Sequence, residues 1–256
     1  MIHPTAIIDP AAELADDVSV GPWTLIGAGV KIGQGSRIES HVVIKGDTHI
    51  GTNNHIFQFS SVGETPPDLK YQGEDTRVRI GNGNVIREGV TIHRGTVQDR
   101  HETTLGNSNL LMAYVHIGHD SVVGSNTIMA NNAALAGHVH VGDWSNLGGY
   151  TLVHQYCKLG AHSFTGMGTA VGKDVPAYIT VSGSPAEAKT INREGLRRRG
   201  FSNDTISHLR RAYKMLYRQG LTMDIAIERL ELMLKDCPEV ELLIDSVRNS
   251  ERGIVR

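Results

Sequence analysis

The sequence predicts an all-β parallel coil of triangular cross-section, a β-helix, followed by a small C-terminal α-helical domain. Gly is abundant, at 29 of 256 residues, where an average chain has about 7%. Aromatic residues are scarce (four Phe, two Trp, seven Tyr), so the core must be aliphatic. Above all, aliphatic residues recur every six positions. From Ile8 the series runs unbroken through Leu14, Val20, Ile26, Ile32, Ile38, Ile44, Ile50, Ile56 and Val62. A helical stripe recurs near 3.6 residues, so a period of six instead describes a short strand and a tight turn. Gly is far below the one third of collagen, and the aliphatic content is too high for a disordered chain.

The elements follow in order. The register returns at Ile80, Ile86 and Ile92, so an insertion at 63–79 preserves the phase. A second insertion near 97–104 shifts it by one. The sixes then resume at Leu105 and continue through Leu111, Ile117, Val123, Met129, Leu135, Val141, Leu147, Val153 and Leu159, with Thr165 the one polar exception before Val171. Gly usually follows the aliphatic residue, as in Gly21, Gly33, Gly118 and Gly142, and is expected to take backbone angles that other residues resist. Three hexads close an 18-residue coil, so residues 1–187 would stack about ten coils, each rising about 4.8 Å.

Residues 188–256 read differently. Ser202 can cap a helix carrying Ile206, Leu209, Tyr213, Leu216 and Tyr217, with Gly220 as its stop. Thr222 opens a second with Ile225, Ile227, Leu230 and Leu234, and Pro238 a third with Leu242, Leu243 and Val247. This domain is short for an independent core and should pack on the prism or on a neighbouring subunit.

The chain is nearly neutral, with 25 Lys and Arg against 27 Asp and Glu, yet the charge is divided. Residues 190–256 hold 13 basic and 10 acidic residues, the remainder 12 and 17. The cluster Arg193, Arg197, Arg198, Arg199, Arg210, Arg211, Lys214 and Arg218 suits phosphates or an acidic protein, or is simply a solvated face. Nucleic acid is not expected, for want of interleaved aromatics and a binding motif. Cys157 and Cys237 form no CxxC pair, and the start MIHPTAIIDPAAEL, without a basic region or a continuous apolar stretch, is not expected to act as a secretory leader. With no apolar run of about 18 residues, no membrane span is expected, and the cytoplasm is the expected compartment.

The repeat also gathers histidines. Residues 18 apart share a column, which places His119, Gly137 and Gln155 one above another, with His138 and His154 a residue to either side. His116 and Asp120 belong to the same edge. Three histidines on such a wall could hold zinc; against that, His116 and His119 flank Asp120, which suits a base held by a carboxylate.

The repeat resembles that of the hexapeptide-repeat family, which implies that the coil is left-handed, against the usual right-handed rule for parallel crossovers. The segments HIGHD, LVHQY and GLRRRGF, with VTIHRGTVQDR and the loop GETPPDLKYQGEDTRVRIG, are similar over essentially the whole chain to the UDP-N-acetylglucosamine 3-O-acyltransferases. That resemblance implies transfer of a 3-hydroxyacyl group from acyl carrier protein to the 3-hydroxyl of UDP-N-acetylglucosamine, the first step of lipid A biosynthesis. It makes His119 the general base, Asp120 its orienting carboxylate and the Gly137 N–H an oxyanion donor. His116, His138, His154 and Gln155 would bind the sugar nucleotide, with Asp68, Lys70 and His93 nearby. Asn192, Glu194, Arg198 and Arg199 match the nucleotide-holding segment, with Arg198 the expected pyrophosphate contact. Pro67, which has no side-chain donor, is given no binding role. Met167 matches the floor of the acyl groove and implies a medium chain, on the order of ten carbons, because each CH₂ denied burial forfeits about 0.8 kcal/mol.

The resemblance further implies a homotrimer with sites between subunits, an acyl carrier protein partner that brings its own phosphopantetheine, and no metal or resident cofactor. The N-acyltransferase of the same pathway, a zinc β-helix such as the γ-class carbonic anhydrases, and a non-catalytic scaffold are the rival readings.

Overall fold

The computed structural model describes residues 1–256. Twenty-seven strands, most of them two residues long, coil into a left-handed parallel β-helix with three faces. The first face holds nine strands, from Ile7–Ile8 to Ala170–Val171; the second holds eight, from Glu13–Leu14 to Lys158–Leu159. The third holds ten and ends on Ile179–Ser182 and Glu187–Ile191. Coils pair in an 18-residue register, as in Leu110↔Ile128 and Ile128↔Asn146. Across the insertions Ser61 pairs with Thr91 and Thr91 with His116. Those offsets of thirty and twenty-five residues explain why the first insertion keeps the six-residue phase and the second moves it by one.

One hexad shows why this sequence forms this coil. In the strand His116–Ile117 the Ile side chain is fully buried in the prism and the His faces out. Gly118 follows, where an added Cβ would stand 2.7 Å from a backbone carbon of Ala136 in the next coil. Asp120 then turns the corner at φ 59°, and the buried Ser121 hydroxyl donates to the Ala136 carbonyl at 3.1 Å. The expected role of the repeat glycine is thus corrected. At Gly118, as at Gly21, Gly33 and Gly142, glycine is required because the neighbouring coil approaches too closely for a side chain, whereas Gly63 does take the expected left-handed angle at φ 77°. Otherwise the left-handed angle falls two residues later, on residues such as Trp23, Asn53, Asp120, His138 and Tyr156.

The positions three after the corner's start form an internal polar ladder. Asn84 Nδ2 donates to Asn54 Oδ1 at 3.0 Å and to the Gly106 carbonyl, and Asn109 Oδ1 accepts from Thr127 N at 2.7 Å. Such pairing is what lets polar groups sit in a dry interior. Thr165, the exception in the aliphatic series, is fully buried because its hydroxyl lies 2.7 Å from that of Thr151.

Four helices cap the C-terminal end: α1 (Arg193–Arg198), α2 (Asn203–Tyr217), α3 (Met223–Met233) and α4 (Val240–Arg248). Ser202 caps α2 by accepting from Thr205 N, and α2 buries Ile206, Leu209, Ala212, Tyr213 and Leu216. The expected stripes of the next two helices need correction. Ile225 and Leu242 are exposed, because Ala226 with Leu230, and Leu243 with Val247, occupy the inward spacing instead. Helix α1 was not expected, and strand Glu187–Ile191 runs past position 187, antiparallel to Ile179–Ser182. The domain packs on the prism: Tyr178 OH donates to the Glu239 carbonyl, Ser246 Oγ accepts from Ala177 N, and Ile254 bridges to Asp174.

Candidate active site

Both insertions leave the prism at one edge, between the first and second faces, because each separates a first-face strand from the next second-face strand. The same edge carries the turns that hold His119, Asp120, Gly137, His138 and Gln155. His119 Nδ1 lies 2.9 Å from Asp120 Oδ2, and its ring packs directly on Gly137. Any side chain at 137 would collide, since a Cβ there would stand 2.6 Å from His119 Nε2. Asp120 is fully buried. Burial alone would raise its pKa, but the bond from His119, the hydroxyl and N–H of Thr96 and the nearby His138 outweigh it, so the carboxyl stays ionised below its usual range.

A second imidazole completes the wall. His138 Nδ1 lies 2.7 Å from Asp99 Oδ2, its ring stacks on Tyr156 with centroids 4.3 Å apart, and it meets His119 edge-on at 4.8 Å. The 63–79 loop covers this wall. Asp68 and Lys70, with Gln98 from the second insertion, line a cavity of about 410 Å³ together with His119, His138, Gln155 and Tyr156. Asp68 Oδ1 accepts from Lys70 N at 3.0 Å, and Pro67 lines the same cavity. His93 and His116 pack edge to face at 5.3 Å beside it. Burial, reinforced by the neighbouring His93 and His119, pushes His116 down to about 4; burial lowers His93 as well, so both are neutral at pH 7. His154 is exposed and does not line the cavity; its Nδ1 turns to the Gln155 carbonyl.

The remaining expected residues lie elsewhere on the same chain. Asn192, Glu194, Arg198 and Arg199 line a cavity of about 570 Å³ between α1 and the third face, beside Trp144. Asn192 is committed to the fold: its Oδ1 caps α1 through Gly195 N and its Nδ2 donates to the His162 carbonyl. Glu194 pairs with Arg197 and Arg198, which pull it down to about 2. Arg199 lies over the Trp144 ring and within 3.1 Å of His162 Nδ1. Met167 stands 83% exposed at a third edge, between the third and first faces. One chain therefore does not bring these three groups together.

Sequence reasoning missed Thr96, Asp99 and Tyr156. Tyr156 was within reach, being 18 residues after His138. Thr96 closes the last in-phase hexad before the second insertion and Asp99 lies inside that insertion, so the period does not say which residue either of them meets. His119, Asp120 and His138 also bring possible metal-ligating atoms within 4.8 Å of one another. Both Nδ1 atoms there are held by carboxylates at hydrogen-bond distance, so the cluster is knit internally.

The coil places the chain among the hexapeptide-repeat transferases: the bacterial transferase hexapeptide model matches residues 102–137. The model for domain 2 of UDP-N-acetylglucosamine O-acyltransferase matches residues 174–255. An acyl-[acyl-carrier-protein]--UDP-N-acetylglucosamine O-acyltransferase of Saccharophagus degradans is 69% identical over 100% of this chain and 99% of its own. One from Stutzerimonas stutzeri is 64% identical with the same coverage. Among solved structures, LpxA from Acinetobacter baumannii superposes with TM-score 0.98 at 53% identity, covering 100% of this chain and 99% of that one. The Francisella novicida UDP-N-acetylglucosamine acyltransferase superposes with TM-score 0.98 at 42% identity, covering 100% and 94%. The chain belongs to the acyl-[acyl-carrier-protein]--UDP-N-acetylglucosamine O-acyltransferase family. That membership displaces the N-acyltransferase, zinc-hydratase and scaffold readings. No helix is long and apolar enough to cross a membrane.

Proposed function

We propose that this chain, acting in the cytoplasm, transfers a 3-hydroxyacyl group from acyl carrier protein to the 3-hydroxyl of UDP-N-acetylglucosamine. The observation that carries the reading is the buried His119–Asp120 pair packed on Gly137 at the edge of the loop-covered cavity. His119, its Nδ1 engaged by Asp120, has Nε2 to take the proton of the sugar hydroxyl. The freed oxygen attacks the thioester carbonyl, and the resulting oxyanion is held by the Gly137 N–H, which donates to no group within the chain. Collapse breaks the carbon–sulfur bond, and the departing phosphopantetheine thiolate recovers the proton from His119. The arm comes and goes with the carrier.

Asp68, Lys70, His116, His138 and Gln155 surround the acceptor sugar in this reading, with His93 behind His116. His154, Glu194, Arg198 and Arg199 would reach the nucleotide from a neighbouring copy, Asn192 acting by holding α1. A homotrimer is supported by the dispersal of these groups over three edges, and by exposed Trp23, Phe59, Tyr114 and Tyr150 along the edge of Met167. The Met167 thioether would floor the acyl groove at about ten carbons. Arg193, Arg210, Arg211 and Lys214, which make no ion pair, would attract the acidic carrier.

The test is transfer from a 3-hydroxyacyl carrier to UDP-N-acetylglucosamine, with UDP-glucosamine as control acceptor and His119→Ala as control enzyme. The reading expects O-acylation of the first acceptor alone, and a loss of about 10²-fold or more in kcat for the variant with its fold intact. Preferential acylation of UDP-glucosamine, or full turnover by His119→Ala, would overturn it.

A further inference from the structure

Asp99 has no part in the reading above, yet it makes the shorter of the two imidazole–carboxylate contacts at the site. We propose that Asp99 is a positioning residue that fixes the ring plane and tautomer of His138, so that two carboxylate–imidazole pairs stand side by side on the cavity wall. The proposal deepens the acyl-transfer reading and rests on it. His138 is held from three directions: Asp99 Oδ2 lies 2.7 Å from Nδ1, Tyr156 lies parallel to the ring at 4.3 Å, and His119 meets it edge-on at 4.8 Å. Asp120 cannot serve instead. Its nearer oxygen is 3.9 Å from His138 Nδ1, beyond hydrogen-bond reach, and its lone pairs are already engaged by His119, Thr96 and the Arg100 N–H.

An acceptor on Nδ1 draws the proton to that nitrogen and leaves Nε2 for whatever occupies the cavity that His138 lines. Asp99 and Thr96 belong to one turn, between the strands Thr91–His93 and Glu102–Leu105. That turn therefore sets both imidazoles, His119 through Asp120 and His138 directly. Asp99 is itself partly exposed, with 39% of its side chain open, so its removal leaves the packing of the prism untouched.

The test combines kinetics with a tautomer readout. In ¹⁵N-histidine spectra of the full-length protein, His138 should show its proton on Nδ1, and Asp99→Asn should shift it, because the amide can turn its own N–H₂ toward that nitrogen. Asp99→Asn and Asp99→Ala should each lower kcat/KM for UDP-N-acetylglucosamine about tenfold, with the melting temperature unchanged and Asp99→Glu recovering part of the loss. The inference is overturned if either readout stays at the wild-type value in Asp99→Asn. Should the wild-type protein fail to acylate UDP-N-acetylglucosamine at all, the functional reading falls. The spectrum then decides the Asp99 role alone: a shifted proton in Asp99→Asn upholds it, and an unshifted one overturns it.

Discussion

A single methyl group added at Gly137 would strike the imidazole of His119. The Cβ would stand 2.5 Å from His119 Cε1 and 2.6 Å from Nε2, where carbon atoms in contact keep about 3.5–4.0 Å. The ring must therefore withdraw by about 1 Å. Gly137 lies outside the left-handed region, so its backbone accepts Ala without strain, and the whole effect falls on His119. That ring has little freedom, being tied to Asp120 at 2.9 Å and set against His138. A catalytic group misplaced by about 1 Å costs on the order of 10² in rate, or about 2.7 kcal/mol of transition-state stabilisation. Gly137→Ala should thus lower kcat about 10²-fold at saturating concentrations of both substrates. Its melting temperature should fall only slightly, since Asp120 keeps its bonds from Thr96. A variant that melts like the wild type and turns over at the wild-type rate would refute the geometry of the pair.

Met167→Gly should move the preferred acyl chain from about ten carbons toward fourteen, four methylenes being worth about 3 kcal/mol, or about 10²-fold in discrimination. Turnover with matched C10, C12 and C14 carriers checks it, and a wild-type preference for C14 removes the ruler. Stability should fall in mild acid. His116 and His162 are each held near 4 by burial, below the ordinary 6.5, so the unfolded chain binds more protons between those values and stability is lost as pH falls. The loss is on the order of 2 kcal/mol for His116 between pH 7 and 5, and smaller for His162, whose greater exposure lets solvent screen it. Melting curves across that range should show the decline, with a shallower slope for His116→Gln; an unchanged melting temperature would contradict the burial argument.

Much of this was legible in the sequence because the coil repeats without interruption over long stretches. Once the 18-residue column is known, Gly137 must stack near His119 whatever lies between them in sequence. The insertions were visible as breaks in phase, but their contents were not. Thr96 binds Asp120 across 24 residues and Asp99 binds His138 across 39, and neither separation is a multiple of the coil. The role of the repeat glycines was misread for a related reason. Periodicity marks which position is special, but whether the cause is a backbone angle or a close neighbour depends on the adjoining coil. Asn192 shows the same limit: its match to a nucleotide-holding segment said nothing of its bonds to Gly195 and His162, which hold α1 in place.

The corner residues connect the fold to its chemistry. A left-handed angle on a residue with a side chain costs about 1–2 kcal/mol, with Asn and Asp the most tolerant. At the edge between the second and third faces, Asn53 and Asn126 fill that position, as do Trp144 and His162. At the edge of the cavity the corners of three successive coils are Asp120, His138 and Tyr156. Two contributions offset the strain there. Asp120 receives its bonds from Thr96, and His138 stacks on Tyr156, an aromatic contact worth about 0.5–1.5 kcal/mol beyond the area it buries. The angle that costs stability also leaves each side chain projecting from a turn whose backbone the neighbouring coils fix, as His138 N does in donating to the His119 carbonyl. The imidazoles are therefore held by the coil before any substrate arrives, and preorganisation of this kind is what makes hydrogen-bonding groups effective in catalysis.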